Sequence, residues 1–316
     1  MNFGVNLFPR DMLKTGEAYR SVARAAEALG YDFLSVSDHV IVPQKQNSPY
    51  PYSEDASWAG GGSGFCFEAM TAMTFLVACT ERIKVLSSVA VVPQRPVVLT
   101  AKALSSMDVL SNGRVLFGVG TGWLREEFDI MQPPAFQDRG RVTDEFIDGI
   151  KRLWSEDDPR YSGDFVKFSN VLFSPKPLSG RIPIWVGGES NIALRRTVRL
   201  GDVWFPGNNN PKWRVDTPER LKVRIDRLHE FAAAEQRDPA SIGLAYVWFH
   251  PVSYEPIPGF DTPRRMFSGS PGDIAADAAA LRALGVSDTS IGFAARDASE
   301  LSDAMQRFSE DVMPLL

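Results

Sequence analysis

Residues 183–201 read PIWVGGESNIALRRTVRLG, and this stretch contains a complete strand–turn–helix unit. An apolar run ends at Gly187 and Gly188, Ser190 then occupies the position of a helix N-cap, and Gly201 closes the helix. An unbroken apolar run is typical of a strand buried on both faces, as the strands of a parallel sheet are. The stretch therefore predicts one βα unit of an α/β protein.

The same alternation recurs along the whole chain. It predicts eight strands: NFGVNLF (2–8), DFLSVS (32–37), IKVLSSVAVV (83–92), RVLFGVG (114–120), PIWVGG (183–188), DVWFPG (202–207), IGLAYVWF (242–249) and TSIGFA (289–294). A helical pattern follows each of them, and no change in composition divides the chain. Eight βα units favour a single (β/α)8 TIM barrel over residues 1–316 rather than a doubly wound sheet.

Composition and charge argue against several classes of partner. The chain has 316 residues, 44% of them hydrophobic, and a formal net charge of −5. Because no basic run is present, nucleic acid is not expected as a partner. The N-terminus lacks the basic and apolar regions of a signal peptide, and no stretch reaches the about 18 apolar residues of a membrane helix. We predict a cytoplasmic protein that acts on a small molecule, with no membrane partner.

Three long connections interrupt the regular pattern, and we expect them to be insertion loops at the C-terminal face of the strands. They span residues 41–65, 155–181 and 249–270, and the second contains a possible hairpin, RYSGDFVKFSN. Barrel active sites lie in the loops after the strands, so these segments are candidate lids or binding loops. Disorder is the alternative interpretation. Phe8, Trp58 and Trp123 are the aromatic candidates for substrate contact; Tyr50, Tyr52 and Phe65 add to an apolar pocket, or all serve as lid packing.

His39 is the principal catalytic candidate, since it is one of three histidines and follows the second predicted strand. Imidazole suits proton transfer near neutral pH, and Asp38 could fix its tautomer or raise its pKa. Asp38 is adjacent in sequence, so contact with the ring requires a turn at this point. The alternative is a structural loop histidine. His250, after the seventh strand, is the weaker second candidate. The histidines are scattered without an HxH or HExxH pattern, so we expect no metal site.

Two glycine-rich strand ends are candidate ligand sites. GVGTGW (118–123) permits a close approach to the backbone, and WVGGES (185–190) precedes a helix whose N–H groups suit an anion. Either could also be a plain turn. Between these two motifs lie four charged residues, Glu126, Glu127, Arg139 and Glu145. We interpret them as an ion pair that ties the fourth loop to its helix, rather than as catalytic groups.

Taken together, these motifs resemble the luciferase-like flavin and deazaflavin oxidoreductases. The resemblance covers most of the chain to about residue 207 and is densest in AKALSSMDVLSNGRVLFGVGTGWLREEF and PKPLSGRIPIWVGGESNIALRRTVRLGDVWFPG. It implies a TIM barrel that binds FMN or the deazaflavin F420 at the strand C-termini. The resemblance implies that Ser88 and Val89 form a strand bulge, often with a cis peptide, that supports the central ring of the cofactor. The pyrimidine end would be flanked by Gly120, Thr121 and Gly122, and the phosphate would be bound by Gly187, Gly188, Glu189 and Ser190. Asp38 and His39 would lie near the reactive ring.

The SDH form at residues 37–39 and the GVGTGW…EEF stretch look more like the deazaflavin branch. That resemblance implies an F420-dependent oxidoreductase, active as a homodimer, that transfers hydride to or from a weakly polar organic substrate. One alternative is an FMN-dependent monooxygenase fed by a separate reductase. Others are a barrel that binds the cofactor without turnover and, more distantly, a flavin-free isomerase.

Overall fold

The structure is a computed structural model that describes residues 1–7, 12–58 and 63–316. Its strands are β1 (Asn2–Asn6), β2 (Phe33–Val36), β3 (Lys84–Ser87), β4 (Ala90–Val91), β5 (Val115–Gly120), β6 (Tyr161–Ser162), β7 (Lys167–Phe168), β8 (Ile184–Gly187), β9 (Val203–Phe205), β10 (Gly243–Val252) and β11 (Val286–Phe293). Its helices are α1 (Gly16–Ala28), α2 (Ala69–Cys79), α3 (Val97–Leu110), α4 (Arg125–Met131), α5 (Arg139–Ser155), α6 (Asn191–Leu200), α7 (Pro218–Ala234), α8 (Pro271–Ala283) and α9 (Ala298–Asp311).

Eight of the described strands close into a parallel barrel in the order β1, β2, β3, β5, β8, β9, β10 and β11. Gly4 of β1 pairs with Phe33 of β2 on one side and with Ser290 of β11 on the other. The remaining closure is made by β3 and β5, where Val85 pairs with Val115. The predicted (β/α)8 barrel is confirmed.

Local sequence signals set the helix starts that the barrel requires. The Ser190 hydroxyl accepts a hydrogen bond from the amide of Ala193 at 3.2 Å, and Thr217 caps α7 in the same way. Ser270 and Asp273 form a reciprocal capping box at the start of α8. Each cap satisfies amide groups that a first helical turn leaves unpaired, which fixes where the chain leaves the strand loop and enters the helix.

The third predicted strand is divided in the structure. β3 and β4 are separated at Ser88–Val89, which are joined by a cis peptide bond, as the resemblance implied. β4 then continues along β5, where Ala90 pairs with Val119. The helix α4, which follows β5, was not predicted.

The expectation that residues 155–181 lie at the C-terminal face of the strands is wrong. Residues 155–181 contain the predicted hairpin, in which β6 and β7 pair antiparallel. However, this connection joins the end of α5 to the start of β8, so it enters the barrel at the N-terminal end of the strands. Glu145 of α5 fastens the hairpin by accepting hydrogen bonds from the amides of residues 164–166. The hairpin therefore packs outside the barrel rather than over its catalytic face.

The barrel interior is filled by large apolar side chains from six strands. This cluster contains Phe33, Leu86, Leu116, Trp185, Phe205, Ala245 and Val247. A packed interior is characteristic of (β/α)8 barrels and leaves the ends of the strands as the place for a ligand. Among the described helices, none is long and apolar enough to cross a bilayer.

Candidate active site

A cavity of about 1040 Å³ opens at the C-terminal ends of the barrel strands. Its floor is the apolar interior cluster, since Phe205 and Val247 belong to both. The sequence-predicted site residues in its lining are Asp38, His39, Trp58, Ser88, Val89, Gly120, Thr121, Gly122, Trp123, Gly187, Gly188, Glu189 and Ser190. Phe8 lies outside the described residues. The ends of β2, β3, β5 and β8 thus contribute these residues to one site.

His39 is held by a carboxylate from a distant part of the chain. Its Nδ1 lies 3.0 Å from Oε2 of Glu127, and both side chains are almost fully buried. Burial raises the pKa of Glu127, but the contact with His39 and the amides of Val40 and Ile41 outweigh it and lower this pKa below its usual value. An ionised carboxylate only accepts, so Nδ1–H is the donor. In the neutral ring, the lone pair is therefore on Nε2.

Asp38 does not orient the imidazole of His39, and that expectation is wrong. Its carboxylate accepts a hydrogen bond from the amide of Val91 at 2.8 Å and forms a buried ion pair with Arg95. Arg95 also contacts Glu68, the N-cap of α2, at 2.9 Å. Burial raises the pKa of Asp38, which Arg95 partly offsets. Asp38 thus links β2 to β4 and α2 beneath the site. The adjacent side chains of Asp38 and His39 point to different partners.

Glu127 is the functional candidate that sequence reasoning missed. It was interpreted, with Glu126, as part of an ion pair with the helix that carries Arg139. Instead, Glu127 bonds His39, and Arg139 donates to the carbonyl oxygens of Gly122 and Phe136. The adjacent acids in the REEF stretch were the available signal, but a partner 88 residues away cannot be read from spacing.

The end of β8 and the start of α6 lie where the sequence predicts an anion site. Gly187, Gly188, Ser190 and Ala193 line the cavity at this helix N-terminus, where N–H groups and the helix dipole favour negative charge. Two arginines also line the cavity: Arg139, which donates to the carbonyls of Gly122 and Phe136, and Arg196 of α6, which is paired with Asp144. This donor set fits a phosphate group, as FMN and F420 both carry.

The neighbouring surface fits a flat ring. A Cβ on Gly120 would lie 2.5 Å from Cγ2 of Val89, and one on Gly187 would lie 3.1 Å from Cγ1 of the same valine. Glycine at both positions therefore lets Val89 lie between the ends of β5 and β8, where the resemblance implied the central ring of a cofactor. The residues present suit a planar cofactor with an anionic end.

Glu189 lies in the turn after β8, where the resemblance implied the phosphate, but its side chain bonds elsewhere. The carboxylate accepts hydrogen bonds from the amide of Gly207 at 2.7 Å and the side chain of Asn210 at 2.8 Å. Burial raises the pKa of Glu189 to about 7, although both bonds oppose the shift. The charge on Glu189 in turn raises the pKa of Tyr52 well above its ordinary value. Glu189 thus fastens the β8 turn to the loop after β9.

An aromatic cluster covers His39. The ring of Trp58 lies 4.8 Å from that of His39 at 31°, and Trp123 packs edge-to-face on Trp58 at 5.3 Å. Tyr50 lies 5.0 Å from Trp123 and also lines the cavity. Phe65, which the sequence grouped with these rings, instead packs against Phe67 at 5.0 Å, outside the cavity lining.

His250 is placed away from the site. It lies within β10 rather than after it, packs 5.6 Å from Trp248 and does not belong to the cavity lining. Burial, with the nearby charge of Arg265, lowers the pKa of His250 to about 4. A ring that stays neutral at physiological pH and lies outside the cavity is not suited to exchange protons with a substrate.

The sequence model of the luciferase-like monooxygenase family matches residues 1–256. The chain belongs to this family. An uncharacterized protein of Mycobacterium tuberculosis is 34% identical over 214 residues, which are 68% of this chain and 72% of the relative. An FMNH2-dependent dimethylsulfone monooxygenase of Pseudomonas fluorescens is 31% identical over 217 residues, which are 68% of this chain but 52% of that enzyme.

Solved structures of oxidoreductases share the fold. An F420-dependent secondary alcohol dehydrogenase, solved with an F420–acetone adduct, superposes with a TM-score of 0.76 over 99% of this chain and 98% of its own, at 16% identity. Relatives and structural neighbours of this luciferase-like protein thus include both FMN- and F420-dependent oxidoreductases.

Proposed function

We propose that this protein is an F420-dependent oxidoreductase that transfers hydride between the deazaflavin and a small, weakly polar organic substrate. The observation that carries the proposal is the His39–Glu127 pair, 3.0 Å apart at the cavity wall, which leaves Nε2 of His39 for a substrate. Interconversion of an alcohol and a carbonyl compound moves a proton together with the hydride, and such a pair is suited to handle that proton.

The residues have separate roles in this proposal. Gly187, Gly188 and Ser190 bind the phosphate, and Val89 supports the ring. The bound deazaflavin supplies or accepts the hydride. At the substrate oxygen, Nε2 of neutral His39 takes the proton released by an alcohol, and the protonated ring returns it when a carbonyl is reduced. Glu127 keeps the imidazole oriented and stabilises its protonated form.

An FMN-dependent monooxygenase is the second candidate, and the 31% identity to an FMNH2-dependent enzyme favours it. Such an enzyme would need a separate reductase to supply reduced FMN. The deazaflavin remains our choice because of the residues at 37–39 and 118–127 and because a buried acid–base pair at the cavity wall suits hydride transfer at a carbon–oxygen bond.

The cofactor is tested by titrating the purified protein with F420 and with FMN and following fluorescence. We expect tighter binding of F420, a change in F420 absorbance with a substrate, and no oxygen consumption with reduced FMN. Oxygen-dependent product formation with reduced FMN would assign the protein to the second candidate. Binding of F420 without turnover of any alcohol or carbonyl compound would indicate a cofactor-binding barrel.

Two further parts of the proposal concern the whole protein. A homodimer is supported by exposed aliphatic side chains on α3, among them Leu99 and Leu110. A cytoplasmic location is the second part, and it follows from the proposed use of an intracellular redox cofactor.

A further inference from the structure

The two ends of the cavity differ in chemistry. One end contains the helix N-terminus of α6 with Arg139 and Arg196. The other, which we call the aromatic end, is lined by Tyr50, Tyr52, Trp58, Trp123 and Phe249 around His39. The described residues of the lining include no lysine. The third arginine of this lining is Arg125 on α4, whose Nε lies 3.7 Å from Oδ2 of Asp129. Arg196 of α6 is paired with Asp144 and donates to the carbonyl of Gly140, next to Arg139, so both arginines lie beside the helix start where the cofactor phosphate is proposed.

The rings of the aromatic end form a connected wall. Trp58 and Trp123 meet edge-to-face at 79°, Tyr50 meets Trp123 at 64°, and Tyr52 lies 6.0 Å from Phe249. These side chains come from the loops after β2 and β5 and from β10. Aromatic groups prefer edge-to-face or offset contacts with further rings, so such a wall favours a planar ligand over a puckered saturated one.

The loop that carries three of these rings is fastened at several points between residues 40 and 54. Oε1 of Glu126 accepts hydrogen bonds from the amides of Asn47 at 2.5 Å and Ser48 at 2.9 Å. Oε1 of Glu127 accepts another from Val40 at 2.7 Å. Further along the loop, Glu54 forms an ion pair with Arg214. A wall held in place before the ligand arrives loses little conformational entropy on binding.

The charged groups near the wall already have partners. Glu127 is paired with His39, and Asp38 is paired with Arg95. Glu189 accepts two N–H bonds, and burial keeps its pKa near 7 rather than at its ordinary value. Among the described residues beside the wall, a substrate carboxylate would meet one arginine, Arg125, which already faces Asp129. A substrate cation would have to compete with the N–H groups that hold the carboxylates of Glu126 and Glu127.

From these observations we infer that the aromatic end takes a planar, uncharged substrate, an aromatic or conjugated ring whose oxygen reaches Nε2 of His39. The inference rests on the proposed function for the role of His39. Its preference for planar rings depends on the wall alone.

The test compares four probes by calorimetry on the full-length protein, with and without saturating F420. Acetophenone and cyclohexyl methyl ketone differ in having a planar or a saturated ring, and benzoate and phenyltrimethylammonium add charge of each sign. We expect acetophenone to bind about tenfold more tightly than each of the others. Equal or tighter binding of any other probe, or no detectable binding of acetophenone, would overturn the inference.

Variants locate the preference. Trp58→Leu should remove most of the difference between the two ketones, whereas Trp58→Phe should retain it because a ring remains. Phe75→Leu, on α2 away from the cavity, is the matched control and should leave all four affinities unchanged. If Trp58→Leu keeps the full ketone preference, the wall does not select the ring. F420 titrations of the same proteins keep the outcomes separate, since failure to bind F420 would count against the proposed function and not against the ring preference.

Discussion

The contact between His39 and Glu127 joins residues 88 positions apart and gives the imidazole a defined tautomer. We predict that His39→Ala folds, binds cofactor and loses on the order of 10²–10⁴ in turnover, the usual effect of removing a positioned acid–base group. One limb of the pH–rate profile should disappear with it. His250→Ala is the control, because His250 lies outside the cavity lining.

Steady-state rates over a pH series check this prediction. Near-normal turnover of His39→Ala with both limbs present would show that the histidine is structural. A comparable loss in His250→Ala would also contradict the assignment of the proton-transfer role to His39 alone.

Glu189 predicts a pH dependence of stability. Its pKa is raised by burial from 4.5 to about 7, so between these pH values the folded protein binds a proton that the unfolded chain has released. The free energy of unfolding contributed by this group therefore decreases as pH rises through that window. Relative to Glu189→Gln, the wild type should lose on the order of 3 kcal/mol between pH 4.5 and 8.

Urea unfolding of the wild type and of Glu189→Gln across this pH range measures the difference between their free energies of unfolding. Groups that titrate in both proteins cancel in this difference. A difference that stays constant, or one that moves in favour of the wild type as pH rises, would mean that the buried carboxyl ionises freely.

At the scale of elements, the start of α6 allows stability and ligand binding to be separated. Ile192 lines the cavity in the first turn of this helix and is 69% exposed. Ile192→Glu places a negative charge where the helix dipole favours it, so stability should hold or rise by about 0.3–1 kcal/mol. The same charge should repel a bound phosphate and weaken F420 or FMN binding about tenfold.

Fluorescence titration and thermal unfolding of Ile192→Glu and of its neutral counterpart Ile192→Gln give the two readouts. Unchanged affinity in Ile192→Glu would place the phosphate elsewhere. Equal weakening in both variants would point to lost contact of the side chain rather than to charge. Gly188→Asp is less informative, because Gly188 has a φ of +103°, which strains any other residue.

At the scale of the whole molecule, the exposed aliphatic surface on α3 predicts a homodimer. Leu99 and Leu110 are 64% and 82% exposed, and Leu172 in the neighbouring segment is 99% exposed. Lys102 of α3 holds that segment by donating to the carbonyl of Ser174. We expect these side chains to form one surface, with a second copy of the chain as the partner.

Light scattering after gel filtration tests this expectation. Leu99→Glu and Leu172→Glu should shift the protein from dimer to monomer, since each introduces a charge into an apolar contact. Val223→Glu is the matched control, because Val223 is 65% exposed but lies on α7. A monomeric wild type, or a Val223 variant that dissociates equally, would contradict the use of this surface.

The sequence by itself determined the barrel, its strand order and the glycine-rich strand ends. Continuous apolar runs specify buried parallel strands, and caps such as Ser190 and Ser270 specify where helices begin, all within a few residues. It also indicated which side chains would follow the strands. Since strands of one barrel end at a common rim, the candidates from positions 38 to 190 line one cavity.

Only the tertiary structure decided which partner each side chain has. Asp38 contacts Arg95 and not His39, Glu127 reaches His39 from α4, and Glu189 turns from the proposed phosphate site toward Gly207. The residues 155–181 likewise pack outside the barrel. The physical reason is that such contacts depend on loop paths and on the burial of charge, which bring together residues far apart in sequence, whereas local patterns report only on neighbours within a few residues.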